Sequence, residues 1–244
     1  MRNMSVHTHY LSPMNHLTAI ALAAALLPWA APAENVFNGK DLSNWQTRKE
    51  DKGKDCWTVG TPSLHPDNAK ILSVQPTPEA IINVVTAHAQ SWDLATKKKW
   101  AGPIRIELEL MVPQGSNSGV YVMGEYEVQV LDSHGKADKD MGAGDIGAIY
   151  SAAVPKKNAS RQPGVWQKLT IDFAPPVFAS EGTKKANAKF IKVVLNGEIL
   201  HENVEMQGPT PGGLTGKEAS EGPLMFQGNH GAVAYRNVTI VPLP

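Results

Sequence analysis

From Ile104 to Leu110 the chain alternates without a break, and Val112 keeps the register: Ile104, Ile106, Leu108, Leu110 and Val112 fall on one face, Arg105, Glu107 and Glu109 on the other. A period of two belongs to a strand with one face in a core and the other in water, and a helix cannot satisfy it. The rest of the chain follows suit. Helical periodicity is scarce beyond the N-terminal stretch, and short β-branched or alternating runs recur between Gly, Pro, Asn and Asp punctuation, at 57–59, 71–74, 81–85, 120–122, 126–130, 166–173, 189–195, 198–204, 223–227 and 232–241. Asn196-Gly197 is a two-residue hairpin signal. About a dozen short strands in one unit imply two packed antiparallel sheets, an all-β jelly-roll-like β-sandwich. Ile104–Val112 is expected to be central and to pair with the strand that begins at Val120, because sequential strands usually neighbour each other.

The N-terminus reads differently. Leu17 to Ala31 is an Ala- and Leu-rich run, short for a membrane span, ending in the small-x-small pattern Ala31-Pro32-Ala33. Residues 1–33 are therefore expected to be a secretory signal peptide, and residues 34–244 a single domain with no integral membrane span once the leader is removed. Cys56 is the chain's one cysteine, so no intramolecular disulfide can form and stability must come from packing. With 23 basic and 23 acidic residues, and no basic block beyond Lys97-Lys98-Lys99, nucleic acid and anionic membrane are poor candidate partners.

No phosphate-binding loop, His-Glu-x-x-His, paired-cysteine motif or Gly-x-Ser-x-Gly is present. The stretch from Asn117 to Ser133 is more informative. It reads as two short strands joined near Gly124, with Tyr126, Val128 and Val130 on one face and Glu125, Glu127 and Gln129 on the other. Same-face neighbours on a strand stand roughly 6.6 to 7 Å apart, close to the roughly 5 to 5.5 Å of the carboxylate pair in a retaining glycosidase. Gln129 breaks that pattern, since an amide serves neither as acid nor as nucleophile. His230 sits among Gly228, Asn229 and Gly231, where it is either a hydrogen-bonded turn residue or a base able to titrate near neutrality. Arg236 interrupts an apolar run and needs an anionic partner. It faces a cleft beside Glu127, or else it forms an inter-strand salt bridge.

Several segments, taken in order, resemble the 3-keto-disaccharide hydrolase domain family. They are 37–45 (FNGKDLSNW), 116–121 (SNSGVY), 126–132 (YEVQVLD), 147–150 (GAIY), 163–167 (PGVWQ), Asn196-Gly197, 227–231 (QGNHG) and 235–238 (YRNV). The resemblance implies a concanavalin-like sandwich with a sugar-holding concave face, in exported bacterial proteins of the periplasm or exterior that cleave glycosides already oxidised at C3. It carries over Glu127, His230 and Arg236 as catalytic candidates, and Asn117, Gln129, Asp132 and Tyr150 as substrate-binding candidates. Two departures stand out: Asn229 occupies a position where the family commonly has Asp, and Tyr235 one where it commonly has Phe.

A ketone at C3 acidifies the C2 proton, so a base can remove it and the C1 substituent can leave by elimination, with water added afterwards. That chemistry needs one base, a group to stabilise the enolate and an acid for the leaving oxygen. Glu127 or His230 is expected as the base, Arg236 or a bound divalent metal cation as the enolate stabiliser, and Gln129 as an orienting group. The competing reading is a non-catalytic carbohydrate-binding module on the same sandwich, with aromatics such as Tyr121 and Trp100 lining its cleft.

Overall fold

In the computed structural model, residue 1 and residues 32–48, 53–85 and 91–244 are described. The apolar run assigned to the leader, Leu17 to Ala31, lies outside the described residues. Among those described, no helix is long and apolar enough to cross a membrane.

The alternating strand Ile104–Met111 lies inside the larger sheet, paired antiparallel with Gln167–Ala174 on one side and Val233–Pro242 on the other. Its Ile104, Ile106, Leu108 and Leu110 are buried, while Arg105, Glu107 and Glu109 stay partly in water. This sheet has eight strands. From one edge it runs Glu198–Glu205, Lys189–Leu195, Gln167–Ala174, Ile104–Met111, Val233–Pro242, Asn68–Asn83 and Trp57–His65, and Glu34–Asn35 adds to the far end of Val233–Pro242. The opposing sheet has five strands in the order Trp45–Arg48, Asp93–Thr96, Met225–Phe226, Asn117–Val122 and Tyr126–Leu131. The fold is an all-β sandwich of antiparallel sheets, with a single 3₁₀ turn at Asp138–Asp140 among the described residues.

Large side chains join the layers. Phe226 of the smaller sheet stacks on Tyr235 of the larger, ring centroids 3.8 Å apart, and Trp45 packs on the same ring. Farther along, Tyr126 packs on Phe173, which meets Phe190 edge-on. Each buried aromatic removes a large apolar area from water, the main driving force in a domain whose described cysteine, Cys56, is a buried packing residue.

Ile104–Met111 does not pair with Asn117–Val122, contrary to the expectation from sequence order. Both edges of Ile104–Met111 are already taken, and the turn at 113–116 carries the chain into the opposite sheet. The two segments read separately as 71–74 and 81–85 belong to one strand, Asn68–Asn83. Pro76 and Pro78, the apparent interruption, fall where the ladder skips from Ala80↔Gly60 to Gln75↔Thr61, so their missing donors cost no ladder bond. The hairpin at Asn196-Gly197 forms with both residues at positive φ (52° and 88°), as a type I′ turn requires.

Candidate active site

Asn117–Val122 and Tyr126–Leu131 form a hairpin whose turn places Met123 and Gly124 at positive φ. Alternation sends Val120, Val122, Tyr126, Val128 and Val130 into the core. The residues between them face a cavity of about 220 Å³, to which the hairpin contributes Asn117, Tyr121, Glu127 and Gln129. Tyr150 enters from the 147–150 loop, which is laced to the hairpin by Gly147 N–H to Gln129 O (2.8 Å) and Tyr150 N–H to Glu127 O (3.1 Å). Gln227 and His230 arrive from the turn between Met225–Phe226 and Val233–Pro242, and Pro211 and Gly212 close one side.

Glu127 is the most constrained of these groups. It is 1% exposed, its Oε2 accepts a hydrogen bond from the Tyr121 hydroxyl at 2.8 Å, and its Oε1 is buried without a hydrogen-bond partner. Burial pushes its carboxyl up from 4.5 to about 8, against the pull of the Tyr121 hydrogen bond and helped by the nearby charge of Asp93. Tyr121, whose hydroxyl also lies 3.0 Å from Pro211 O, is raised by its own burial and by the adjacent carboxylate. The Glu127 backbone N–H donates to Thr210 Oγ1 (2.9 Å), and the same hydroxyl donates to Glu125 O (3.1 Å).

Gly119, paired across the ladder with Gln129, leaves the space into which the Glu127 side chain folds; a Cβ there would overlap its Oε1. The variant Gly119→Ala is therefore expected to keep the fold and to displace the carboxylate. A kcat loss of about 10²-fold on substrate follows from a misplacement of that order. Unchanged turnover in a steady-state assay would show that the position of Glu127 is immaterial.

The remaining polar groups are arranged to bind. Gln129 Nε2 donates to Asn117 Oδ1 (2.9 Å), tying the two amides into a pair with donors and acceptors left over for a ligand. Asn229 Oδ1 contacts His230 Nδ1 in place of the carboxylate that the family pattern would put there. An amide fixes the ring without holding its proton as an anion would. Behind the site, His201 Nε2 meets Gly147 O at 2.9 Å, and burial keeps that imidazole's basicity low.

Three residues read as site candidates or cleft-facing lie elsewhere. Arg236 sits on the opposite side of the larger sheet, because its neighbour Tyr235 points into the core and strand alternation turns Arg236 outward. Its guanidinium pairs with Glu79 and Glu109 and covers the Trp166 ring at 4.1 Å; of the two sequence readings the inter-strand salt bridge is the one present, and its partner is not Glu127. Asp132 accepts from Gly115 N–H (2.9 Å) and His134 N–H (3.2 Å), joining two turns outside the cavity. Glu125 accepts from Thr215 and Gly216 and anchors the 207–216 segment.

The variant Arg236→Ala is accordingly expected to leave kcat/KM within about twofold and to cost about 1–2 kcal/mol of stability, the sum of a cation–π contact and part-exposed ion pairs. Thermal unfolding alongside the activity assay checks both halves.

The site also contains residues that sequence reasoning did not assign to it. Tyr121, named from the sequence only as a cleft aromatic of a binding module, is the hydrogen-bond partner of Glu127 through the register Tyr121↔Glu127. Gln227 lies in a segment that carried the family resemblance, but Pro211 and Gly212 stand in a loop without periodicity. No cluster of three or more His, Cys, Asp or Glu suited to a metal ion occurs among the described residues. Another cavity of about 220 Å³ borders Glu34, Lys98 and Trp100 and shares no lining residue with the Glu127 cavity, and its Lys98 is already paired with Glu34.

This geometry can be set beside known proteins. The sequence profile of the 3-keto-alpha-glucoside-1,2-lyase-like domain matches residues 32–241. The chain belongs to this family. Among solved structures, a protein from Parabacteroides distasonis ATCC 8503, provisionally described as a glycosyl hydrolase, is similar at 28% identity and a TM-score of 0.61, over 88% of this chain and 86% of that one. Another from the same organism, described in the same way, shares the fold at 18% identity and a TM-score of 0.55, over 87% of this chain and 94% of that one. Curated protein sequences gave no significant match. Within this lyase-like family, the hairpin carrying Glu127 and Gln129 falls inside the matched region, as do His230 and Tyr150.

Proposed function

We propose that the protein is an exported enzyme that cleaves 3-keto-glycosides, including 3-keto-disaccharides, by elimination followed by hydration. Glu127 removes the C2 proton, the electron pair forms the enolate of the C3 ketone, and its collapse expels the C1 oxygen substituent. This leaves a 1,2-unsaturated 3-ketone. His230 delivers the proton to the departing oxygen, and addition of water across the double bond yields the free 3-keto-sugar. The enolate oxygen is met by neutral donors, the Asn117 and Gln129 amides and the Tyr150 hydroxyl, in the role once considered for Arg236.

The observation that carries this reading is that Glu127 is the one carboxylate among the described residues lining the cavity. Hydrolysis of an ordinary glycoside asks for two carboxyl groups across the bond, whereas elimination beside a ketone asks for one strong base. A carboxylate raised to about 8 supplies that basicity. Membership of a family described as 3-keto-alpha-glucoside-1,2-lyase-like supports the bond order of events. The apolar run ending at Ala33 supports export to the periplasm or the exterior.

A glycan-binding module would present aromatic platforms, but Tyr121 (1% exposed) and Trp100 (8%) are both buried. The deciding experiment incubates purified protein with a 3-keto-glucoside and, separately, with its parent glucoside in D₂O. Release of the leaving group from the ketone alone, with deuterium entering C2, is expected. Binding of the ketone without release overturns the catalytic assignment.

A further inference from the structure

A second cavity of about 310 Å³ adjoins the one that holds Glu127, and Tyr150 and Pro211 line both. The character of its wall is different. Ala152, Val204, Met206 and Pro209 supply carbon surface, Ser151, Glu205 and Gln207 stand at exposed positions, and the buried Thr210 hydroxyl is already bonded to Glu127 N–H and Glu125 O. Where the first cavity converges a carboxylate, three amides and an imidazole on a sugar-sized volume, the second offers chiefly apolar contact. A glycoside is itself a two-part molecule, a polar ring joined through one oxygen to something else.

We infer that the second cavity is the subsite for the leaving group, and that it selects 3-keto-glycosides with an apolar, aryl-type aglycone. The inference rests on the function proposed above for the first cavity. Tyr150 and Pro211 form the shared wall past which the C1–O bond runs, so the sugar ring lies against Glu127 while the aglycone covers Met206. An apolar pocket of this kind discriminates by contact area, and losing it costs about tenfold or more in affinity.

The test uses Glu127→Gln protein, which holds the ketosides intact, with ¹³C-labelled methionine methyls and the Met206 resonance identified by its absence in Met206→Leu. Phenyl and methyl 3-keto-glucosides are titrated in turn. The phenyl compound is expected to shift the Met206 methyl and the methyl compound to leave it unmoved. Adding Ala152→Trp, at an exposed position on the rim, is expected to weaken the phenyl titration at least tenfold and the methyl one by less than twofold. Equal shifts from both compounds, or no shift from either, overturn the subsite. The two proposals fail separately. Turnover of both ketosides by the unsubstituted protein without a Met206 response removes the subsite and leaves the chemistry standing. A Met206 response without turnover does the reverse.

Discussion

Glu127→Gln is expected to lower turnover of a 3-keto-glucoside by about 10²–10⁴-fold, the usual contribution of a positioned general base, and to stop deuterium exchange at C2. The amide keeps the shape of the side chain and can still meet the Tyr121 hydroxyl, now 2.8 Å from Oε2. Only the capacity to take a proton is lost. Retention of wild-type kcat would transfer the base role to His230, and His230→Ala measured in parallel reads that alternative directly. The folding control also has a definite sign. Glu127 holds its proton up to about pH 8 in the folded chain, whereas its ordinary value is 4.5. Between those values the folded state binds more protons than the unfolded one, so this group's contribution to stability falls as pH rises through the window. Gln carries no such penalty. The variant is therefore expected to melt above the wild type at pH 8, with the gap closing toward pH 4.5. An inactive variant that melts lower at every pH would be misfolded and uninformative about mechanism.

The second large effect is the pH profile of the unsubstituted protein. If Glu127 acts as a base it must be ionised, and burial makes ionisation late. kcat/KM is expected to rise about tenfold per pH unit below about pH 8 and then level off. The climb is set mainly by desolvation, so opening the cavity should move it down. Thr210→Ala and Pro211→Ala, which loosen the cover over Glu127, are expected to shift the midpoint toward the ordinary carboxylate range. A flat profile between pH 6 and 9 would contradict a base titrating near 8. A midpoint that stays in place in the loosened variants would assign the titration to another group.

Much of this was legible in the sequence where a period of two and a specific residue type coincide. Ile104–Met111 announces its buried face because isoleucine and leucine fill every second position. The orientation of Glu127 and Gln129 away from the core follows from Val128 and Val130 beside them. Pairing was less legible. Nothing local in Ile104–Met111 says that its neighbours are Gln167–Ala174 and Val233–Pro242, some sixty and more than a hundred residues on, since long-range partners are chosen by the whole core. Arg236 was misplaced for a related reason. Its strand was found, but which face looks to the opposing sheet depends on Tyr235 stacking on Phe226 and bonding Ser118, contacts between distant segments. The basicity of Glu127 depends on the same placement. An adjacent Arg would hold the carboxylate ionised, and with Arg236 on the outer face burial alone decides. The 207–216 segment gave no periodic signal, because it is held by its backbone and by the Thr210 and Thr215 hydroxyls rather than by an alternating apolar face.

That segment sets an order of events in time. Glu127 and Tyr121 meet across a tight hairpin, six residues apart. The groups that seal them in arrive from much farther along: Thr210 reaches Glu127 over 83 residues, Pro211 reaches Tyr121 over 90, and Thr215 reaches Glu125 over 90. Contacts of such separation form late, because the loop they close must be ordered first. Until those contacts are made, the hairpin carries its acidic residue as an ordinary solvated carboxylate. The raised basicity of Glu127 therefore belongs to the assembled cavity and not to the hairpin alone.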